Sequence, residues 1–206
     1  MKVVEPAVEL LAITPNALKL IERAGRVCYK SEPKGNPERF VRGLLKRGHE
    51  SVIEHASATF WIRTDRGVTH ELVRHRLASY SQESTRYCNY CGHGIEVIVP
   101  PGLSQKVHWA WRQSMEVAEQ AYNAMIDDGM LPQLARSVLP NSLKTEIVTT
   151  MNFREWRHFL NLRLVGTTGK PHPQIQQIAG MVAAELCSRV PVVFDAYEEG
   201  SAWWGR

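Results

Sequence analysis

The spacing of apolar residues divides the chain into helices and strands. Behind Thr14 and Pro15, which read as a cap and a first helical residue, "NALKLIERAGRVCY" places apolar side chains at helical intervals. "NPERFVRGLLKRG" repeats the device, with Asn36 as cap, Pro37 at the first position and Gly48 past the end. "ASATFWIRT" alternates in the manner of a strand with one buried face. "GVTHELVRHR" reads as a short helix with Arg74 and Arg76 at its end, and the serine-rich piece after it as a loop. "GIEVIVPP" reads as a second strand, stopped by proline.

From Ser104 to Asp128 the spacing of Val107, Trp111, Met115, Ala118, Tyr122 and Met125 predicts a long amphipathic helix, its Trp and Met stripe serving the core or a subunit interface. "SLKTEIVTTMN" is a third strand. "FREWRHFLNLRL" and "PQIQQIAGMVAAELCSRV" are the last two helices, the second with Pro173 near its start. Strands and helices do not alternate regularly, so the fold class expected is α+β rather than a doubly wound sheet.

Composition narrows the class. A chain of 206 residues, 44% hydrophobic and 22% charged, has the profile of one globular domain over residues 1–206 that buries a core without disulfide staples. No apolar run reaches bilayer length, and the N-terminus carries carboxylates where a signal peptide needs an apolar stretch, so a soluble, cytoplasmic protein with no membrane partner is expected. A net charge of +4 suits an anionic small molecule at least as well as nucleic acid. Single-stranded nucleic acid would require exposed aromatics among the basic residues, and the Arg/Ser loop offers only Tyr80 and Tyr87; no nucleic-acid partner is expected. Cys88 and Cys91 form one C-x-x-C with His93 beyond it, but no second pair follows, so reduced thiols are expected rather than a zinc site. There is neither a G-x-G-x-x-G nor a P-loop, so any nucleotide is held by another device.

Three polar constellations carry the candidate chemistry. In "GHESVIEH", Ser51 and Glu54 have capping-box spacing. His49, Glu50, Glu54 and His55 lie close together, but the two histidines are not on one helical face and no metal is expected. "RHRLASYSQESTRY" sets Arg74 and Arg76 before Ser79, Ser81, Gln82, Ser84, Thr85 and Arg86; guanidinium plus several hydroxyl donors is what a phosphate requires, and a solvated loop is the rival reading. In "NFREWRHFLNLRL", Arg154, Arg157 and Asn161 fall on one helical face, while Asn161 and Arg163 sit near the apolar side, where one of them would face a ligand.

Together these segments resemble the flavin-dependent thymidylate synthases (ThyX), whose signature is an RHR triplet, seven residues, then serine: here Arg74-His75-Arg76 and Ser84. "GHESVIEH" and "LPNSLKTEIVTTMNFREWRHFLNLR" match the flanking elements in order. The resemblance implies a single ThyX-like domain with a mainly antiparallel sheet flanked by helices, assembled as a homotetramer with shared active sites. It implies FAD, NADPH and methylenetetrahydrofolate converting dUMP to dTMP. By position, His49, Ser51, Glu54, Arg74, His75, Arg76, Leu77, Gln82, Asn161 and Arg163 would contact FAD. Glu71, Arg74, Gln82, Glu83, Ser84, Thr85, Arg86, Glu146 and Gln176 would contact the nucleotide, with Arg74 and Gln176 in the catalytic roles.

The chain departs from that pattern at three positions. Glu71 stands where the family often has glutamine, Glu146 where many members have arginine, and Gln176 where the family usually places an arginine on the pyrimidine. Arginine presents donors only, whereas glutamine offers one donor group and one acceptor, which suits the exocyclic amine of cytosine. An altered chemistry, acting on dCMP or adding a hydroxymethyl group, is therefore the alternative expectation to dUMP methylation.

Overall fold

The computed structural model describes residues 1–33 and 35–198; the last residues of the expected domain, 199–206, lie outside the described residues. In chain order the elements are β1 (Lys2–Val3), β2 (Ala7–Ile13), α1 (Ala17–Val27), α2 (Pro37–Lys46), a 3-10 turn (Ser51–His55), β3 (Ser57–Asp65), α3 (Arg66–Leu72), β4 (Ala78–Gln82) and β5 (Glu96–Val97). Then come α4 (Gln105–Asp127), α5 (Pro132–Ala135), a 3-10 turn (Arg136–Val138), β6 (Lys144–Asn152), α6 (Phe153–Leu160), a π-helical turn (Asn161–Val165), α7 (Pro173–Arg189), α8 (Pro191–Phe194) and a last 3-10 turn (Asp195–Tyr197). The class is α+β, as expected.

The larger sheet has the order β2-β3-β6-β4, and β1 pairs with β5 in parallel in a separate two-stranded sheet. Along β3 and β6 residue numbers run in opposite directions: the Arg66 amide donates to Leu143 O at 3.1 Å, and the hydroxyls of Thr59 and Thr150 meet at 2.9 Å. β4 continues into the Glu83 amide, which donates to Glu146 O at 2.9 Å. Burial alternates along β6, and along β3 as far as Thr64, as the two-residue period requires, with Phe60, Ile62, Ile147 and Met151 on the inner face.

The chain groups into two compact units, and passes from one to the other inside β2, β3, β4 and β6 and between Arg74 and His75. The first holds Met1–Ala7, Ile62–Arg74 and Ser81–Ile147; its buried cluster is Ile95, Val97, Met115 and Leu143, with Trp111 and Tyr90 packed against it. The second holds Val8–Trp61, His75–Tyr80 and the chain from Val148 onward, and its core is aromatic, with the rings of Phe60 and Trp156 edge-to-face at 5.0 Å.

Local chemistry explains where elements begin. Asn36 caps α2 by accepting from the Glu38 amide at 2.8 Å, with Pro37 in the first turn. The corresponding expectation for Thr14 is corrected. Its amide donates to Ser57 O and its hydroxyl accepts from the Ser57 amide, so it is spent on β3, and α1 starts later behind Asn16, which is left-handed at φ 51. The serine-rich segment expected as a loop is strand β4, because Ala78–Gln82 finds backbone partners on β6 despite its polar composition. Only Glu96 and Val97 of "GIEVIVPP" form a strand.

Candidate functional site

Two adjacent strands deliver the site residues by the same device. The last residue of β3, Asp65, caps α3 by accepting from the Val68 amide at 2.8 Å; the last residue of β6, Asn152, caps α6 by accepting from the Glu155 amide at 2.8 Å. α3 ends at Leu72, so Arg74 and Arg76 lie beyond its end, not on its last turn as expected. The triplet alternates: Arg74 and Arg76 are exposed, and His75 between them is buried.

In the second unit, Arg163 Nε donates to His75 Nε2 at 3.3 Å. The ring stands edge-on to Phe159 and His158, with centroids 5.2 and 5.5 Å away. Burial, then the Arg163 charge, then His158 push the His75 pKa down to about 4. Its Nδ1 lies 3.3 Å from Glu155 Oε1 without the alignment of a hydrogen bond, and burial raises the Glu155 pKa.

His75, Glu155 and His158 bring ligand atoms within 4.8 Å of one another, the spacing of a metal cluster. The hydrogen bond from Arg163 argues against one. It occupies the Nε2 lone pair, so the proton of the neutral ring sits on Nδ1 and that nitrogen has no lone pair for a metal.

Beside this group lies a cavity of about 480 Å³ lined by Glu50, Glu54, Leu77, Asn152, Arg154, Glu155, Arg157, His158 and Asn161. It brings together Glu54, Leu77 and Asn161, three of the residues expected at the flavin. Arg154 reaches Glu54 at 2.6 Å, and Arg157 bridges Glu50 at 3.1 Å and Val193 O at 2.6 Å, tying α6 to the 3-10 turn and to α8. Ser51 opens the 3-10 turn and makes no side-chain cap, so the capping-box reading is corrected; His49, Ser51 and Glu54 are all exposed. Glu155 and His158 were missed by sequence reasoning, although their i, i+3 spacing with each other and with Asn161 marks one helical face.

The helix expected over "FREWRHFLNLRL" changes form at Asn161. The Gly166 amide donates to Asn161 O at 2.9 Å, a bond spanning five residues that widens the turn carrying Asn161 and Arg163. Asn161 Oδ1 accepts from the Tyr197 hydroxyl at 2.9 Å. Gly166 closes the turn at φ 78, where an added Cβ would stand 2.8 Å from Gly169 O and from the Pro171 ring. Gln176, on the first turns of α7, donates its Nε2 to Leu164 O at 2.9 Å and lines a separate cavity of about 730 Å³ with Gly180, Met181 and Tyr197.

The first unit holds the expected nucleotide loop. Gln82 donates to Thr69 and Thr145 at 3.0 and 3.2 Å. Both oxygens of Glu83 are engaged: the Tyr90 hydroxyl donates to Oε1 at 2.7 Å and Lys144 Nζ to Oε2 at 3.2 Å. Ser84 O accepts from the amides of Tyr87 and Cys88, forming a tight turn around buried Thr85. Arg136, which the sequence did not single out, donates to Thr85 Oγ1 at 3.2 Å, while exposed Arg86 reaches Gln133 at 3.4 Å. Glu71 lies on α3, half-buried, in the same unit. Lys144 also contacts Glu146 at 2.8 Å and Glu96 at 3.5 Å. Burial opposes its charge, but the carboxylates of Glu146 and Glu83 outweigh it and its pKa is raised. Cys88 and Cys91 are free thiols. No helix of the described residues is long and apolar enough to cross a membrane.

Residues 9–192 match the family described as thymidylate synthase complementing protein. The flavin-dependent thymidylate synthase of Geobacter sulfurreducens is 39% identical over 168 residues, covering 76% of this chain and 72% of the relative. That of Mycobacterium tuberculosis is 35% identical over 202 residues, covering 87% and 79%. Among solved structures, the UMP/dUMP methylase PolB from Streptomyces cacaoi, bound with 5-Br dUMP, superposes with a TM-score of 0.84 at 26% identity, covering 96% of each chain. The fold thus places the protein in the α+β class that this methylase also shows. The chain belongs to the thymidylate synthase complementing protein family.

Proposed function

We propose that this chain is a flavin-dependent thymidylate synthase, one catalytic domain over residues 1–206 that methylates dUMP to dTMP and works as a homotetramer with shared active sites. The observation that carries the reading is the buried His75, held by Arg163 beside a cavity that gathers Glu54, Leu77 and Asn161. His75 Nδ1 is a buried donor with no aligned partner, Arg163 stands at Nε2 of the same ring, and the Arg154 guanidinium lines the adjoining cavity. Flavin nucleotides present ring carbonyls and a diphosphate, acceptors that suit such donors.

His49, Ser51, Glu54, Arg74, His75, Arg76, Leu77, Gln82, Asn161 and Arg163 would hold FAD. When bound, the reduced flavin supplies the electrons that turn a transferred methylene into a methyl group. NADPH is the reductant and methylenetetrahydrofolate the one-carbon donor.

The chain's own groups bind and orient. Ser84 and Arg86 grip the nucleotide phosphate, with Thr85 fixing the turn between them. Glu71, Gln82, Glu83 and Glu146 shape the rest of the nucleotide pocket. Arg74 and Gln176 act on the reacting base: Arg74 stabilises negative charge that develops on the ring, and Gln176, one Nε2–H of which goes to Leu164 O, offers Oε1 to a ring N–H and its second N–H to a ring carbonyl. Uracil presents both groups side by side, so the glutamine is compatible with dUMP.

The test is to incubate purified protein with FAD, NADPH, methylenetetrahydrofolate and, in separate arms, dUMP, UMP and dCMP, with products identified by mass spectrometry. Bound flavin absorbance and dTMP from dUMP are expected. A protein that takes up no flavin, or that methylates none of the three, overturns the reading.

A further inference from the structure

Lys144 stands among three carboxylates of the first unit: Glu146 at 2.8 Å, Glu83 at 3.2 Å and Glu96 at 3.5 Å, the last also paired with exposed Lys2 at 3.2 Å. The ammonium hydrogen-bonds Glu146 and Glu83 and stands at ion-pair distance from Glu96. These come from three segments: Glu83 directly after β4, Glu96 in β5 and Glu146 one strand repeat along β6. Lys144 and Glu146 share the outer face of β6, because side chains two residues apart on a strand point the same way. The Lys144 and Glu83 side chains are only 13% and 17% exposed, so water screens this contact less than those to the more exposed Glu96 and Glu146.

Glu83 matters most. With Tyr90 on one oxygen and Lys144 on the other, its carboxylate is clamped, and the residue after it opens the Ser84–Arg86 turn. Resting on the proposed function, we infer that Lys144 is a positioning residue for the nucleotide phosphate. It neutralises and fixes the carboxylate of Glu83, and with it the carboxylates of Glu96 and Glu146, so that the adjoining turn receives a phosphate rather than repelling it. Lys144 itself touches neither substrate nor flavin. On this view the position where an arginine was expected, Glu146, is not simply a lost cation: a cation stands two residues earlier on the same strand face and holds the glutamate.

The test uses FAD-loaded enzyme and three variants. Lys144→Met removes the charge and keeps the length of the side chain. Its dUMP KM is expected to rise at least fivefold, with kcat within about twofold and flavin affinity unchanged. Lys144→Met combined with Glu96→Gln, which removes a carboxylate at a position outside the nucleotide turn, is expected to recover at least half of that rise on a logarithmic scale. Should Lys144→Met fail to fold, Lys144→Gln decides the same question.

A wild-type KM in the neutral variant overturns the inference. So does a parallel fall of kcat and flavin affinity, the pattern of a merely structural lysine, and so does the absence of rescue by Glu96→Gln. Wild-type enzyme that neither binds dUMP in calorimetry nor turns it over sinks the functional reading, and the inference with it; wild-type activity with an unaffected variant sinks the inference alone.

Discussion

Arg163 Nε donates to His75 Nε2 across 3.3 Å, and this one bond sets the chemistry of the buried imidazole. Burial, and after it the guanidinium, keeps the ring neutral well below the ordinary histidine range. The proton is left on Nδ1, as a donor and not as a metal ligand.

The same pair gives the fold an acid sensitivity. The unfolded chain protonates His75 near 6.5, whereas the folded chain resists until about 4. Between those values the unfolded state binds more protons, so stability is lost as pH falls through the window, by about 3 kcal/mol at most. His75→Gln should flatten the decline measured by urea unfolding between pH 4.5 and 7. Glu155, whose raised pKa works in the opposite direction, is common to both proteins. An unchanged slope would remove His75 as its source.

Arg157 is a second anchor. Its guanidinium serves Glu50 and the Val193 carbonyl together. Arg157→Ala leaves both acceptors without that donor and should cost about 2–4 kcal/mol, read as a lower denaturant midpoint at constant m-value. Arg157→Lys should recover little, since a single ammonium lacks the fork geometry.

Gly166→Ala tests the π turn. The substitution meets both a left-handed backbone and atoms at 2.8 Å. Gly102, at φ 80 with nothing within 4 Å of an added Cβ, supplies the control for backbone strain alone. Gly102→Ala should cost about 1 kcal/mol and Gly166→Ala clearly more, measured by thermal unfolding. Equal costs would show that the loop yields to the clash.

Thr85→Val keeps the buried shape but removes the acceptor for Arg136. Losing one hydrogen bond of about 1 kcal/mol corresponds to a roughly fivefold higher nucleotide KM with kcat unchanged. A fall in kcat at constant KM would place Thr85 in the chemistry instead of the turn.

What the sequence disclosed follows from which contacts are local. Asn36 and Pro37 form their cap within three residues, and the pattern reads correctly. Thr14 carries the same signal, but a distant partner, Ser57, takes its hydrogen bonds. β4 was hidden because a polar strand pairs through its backbone, which composition does not display. The triplet and Ser84 were legible as a motif. Lys144, Arg136 and Glu155 were not, since each acquires its role only from residues brought up by other elements. The π turn was equally silent, for a five-residue bond leaves no mark in a helical pattern.

Asp65 and Asn152 each end a strand and cap the next helix, so no residue is left over between sheet and helix at either place. At each joint the residue that closes the strand also supplies the first acceptor of the helix, so the direction in which α3 leaves β3, and α6 leaves β6, is tied to the last residue of the strand. The RHR triplet follows the far end of α3 and Asn161–Val165 the far end of α6, so one capping side chain stands upstream of each.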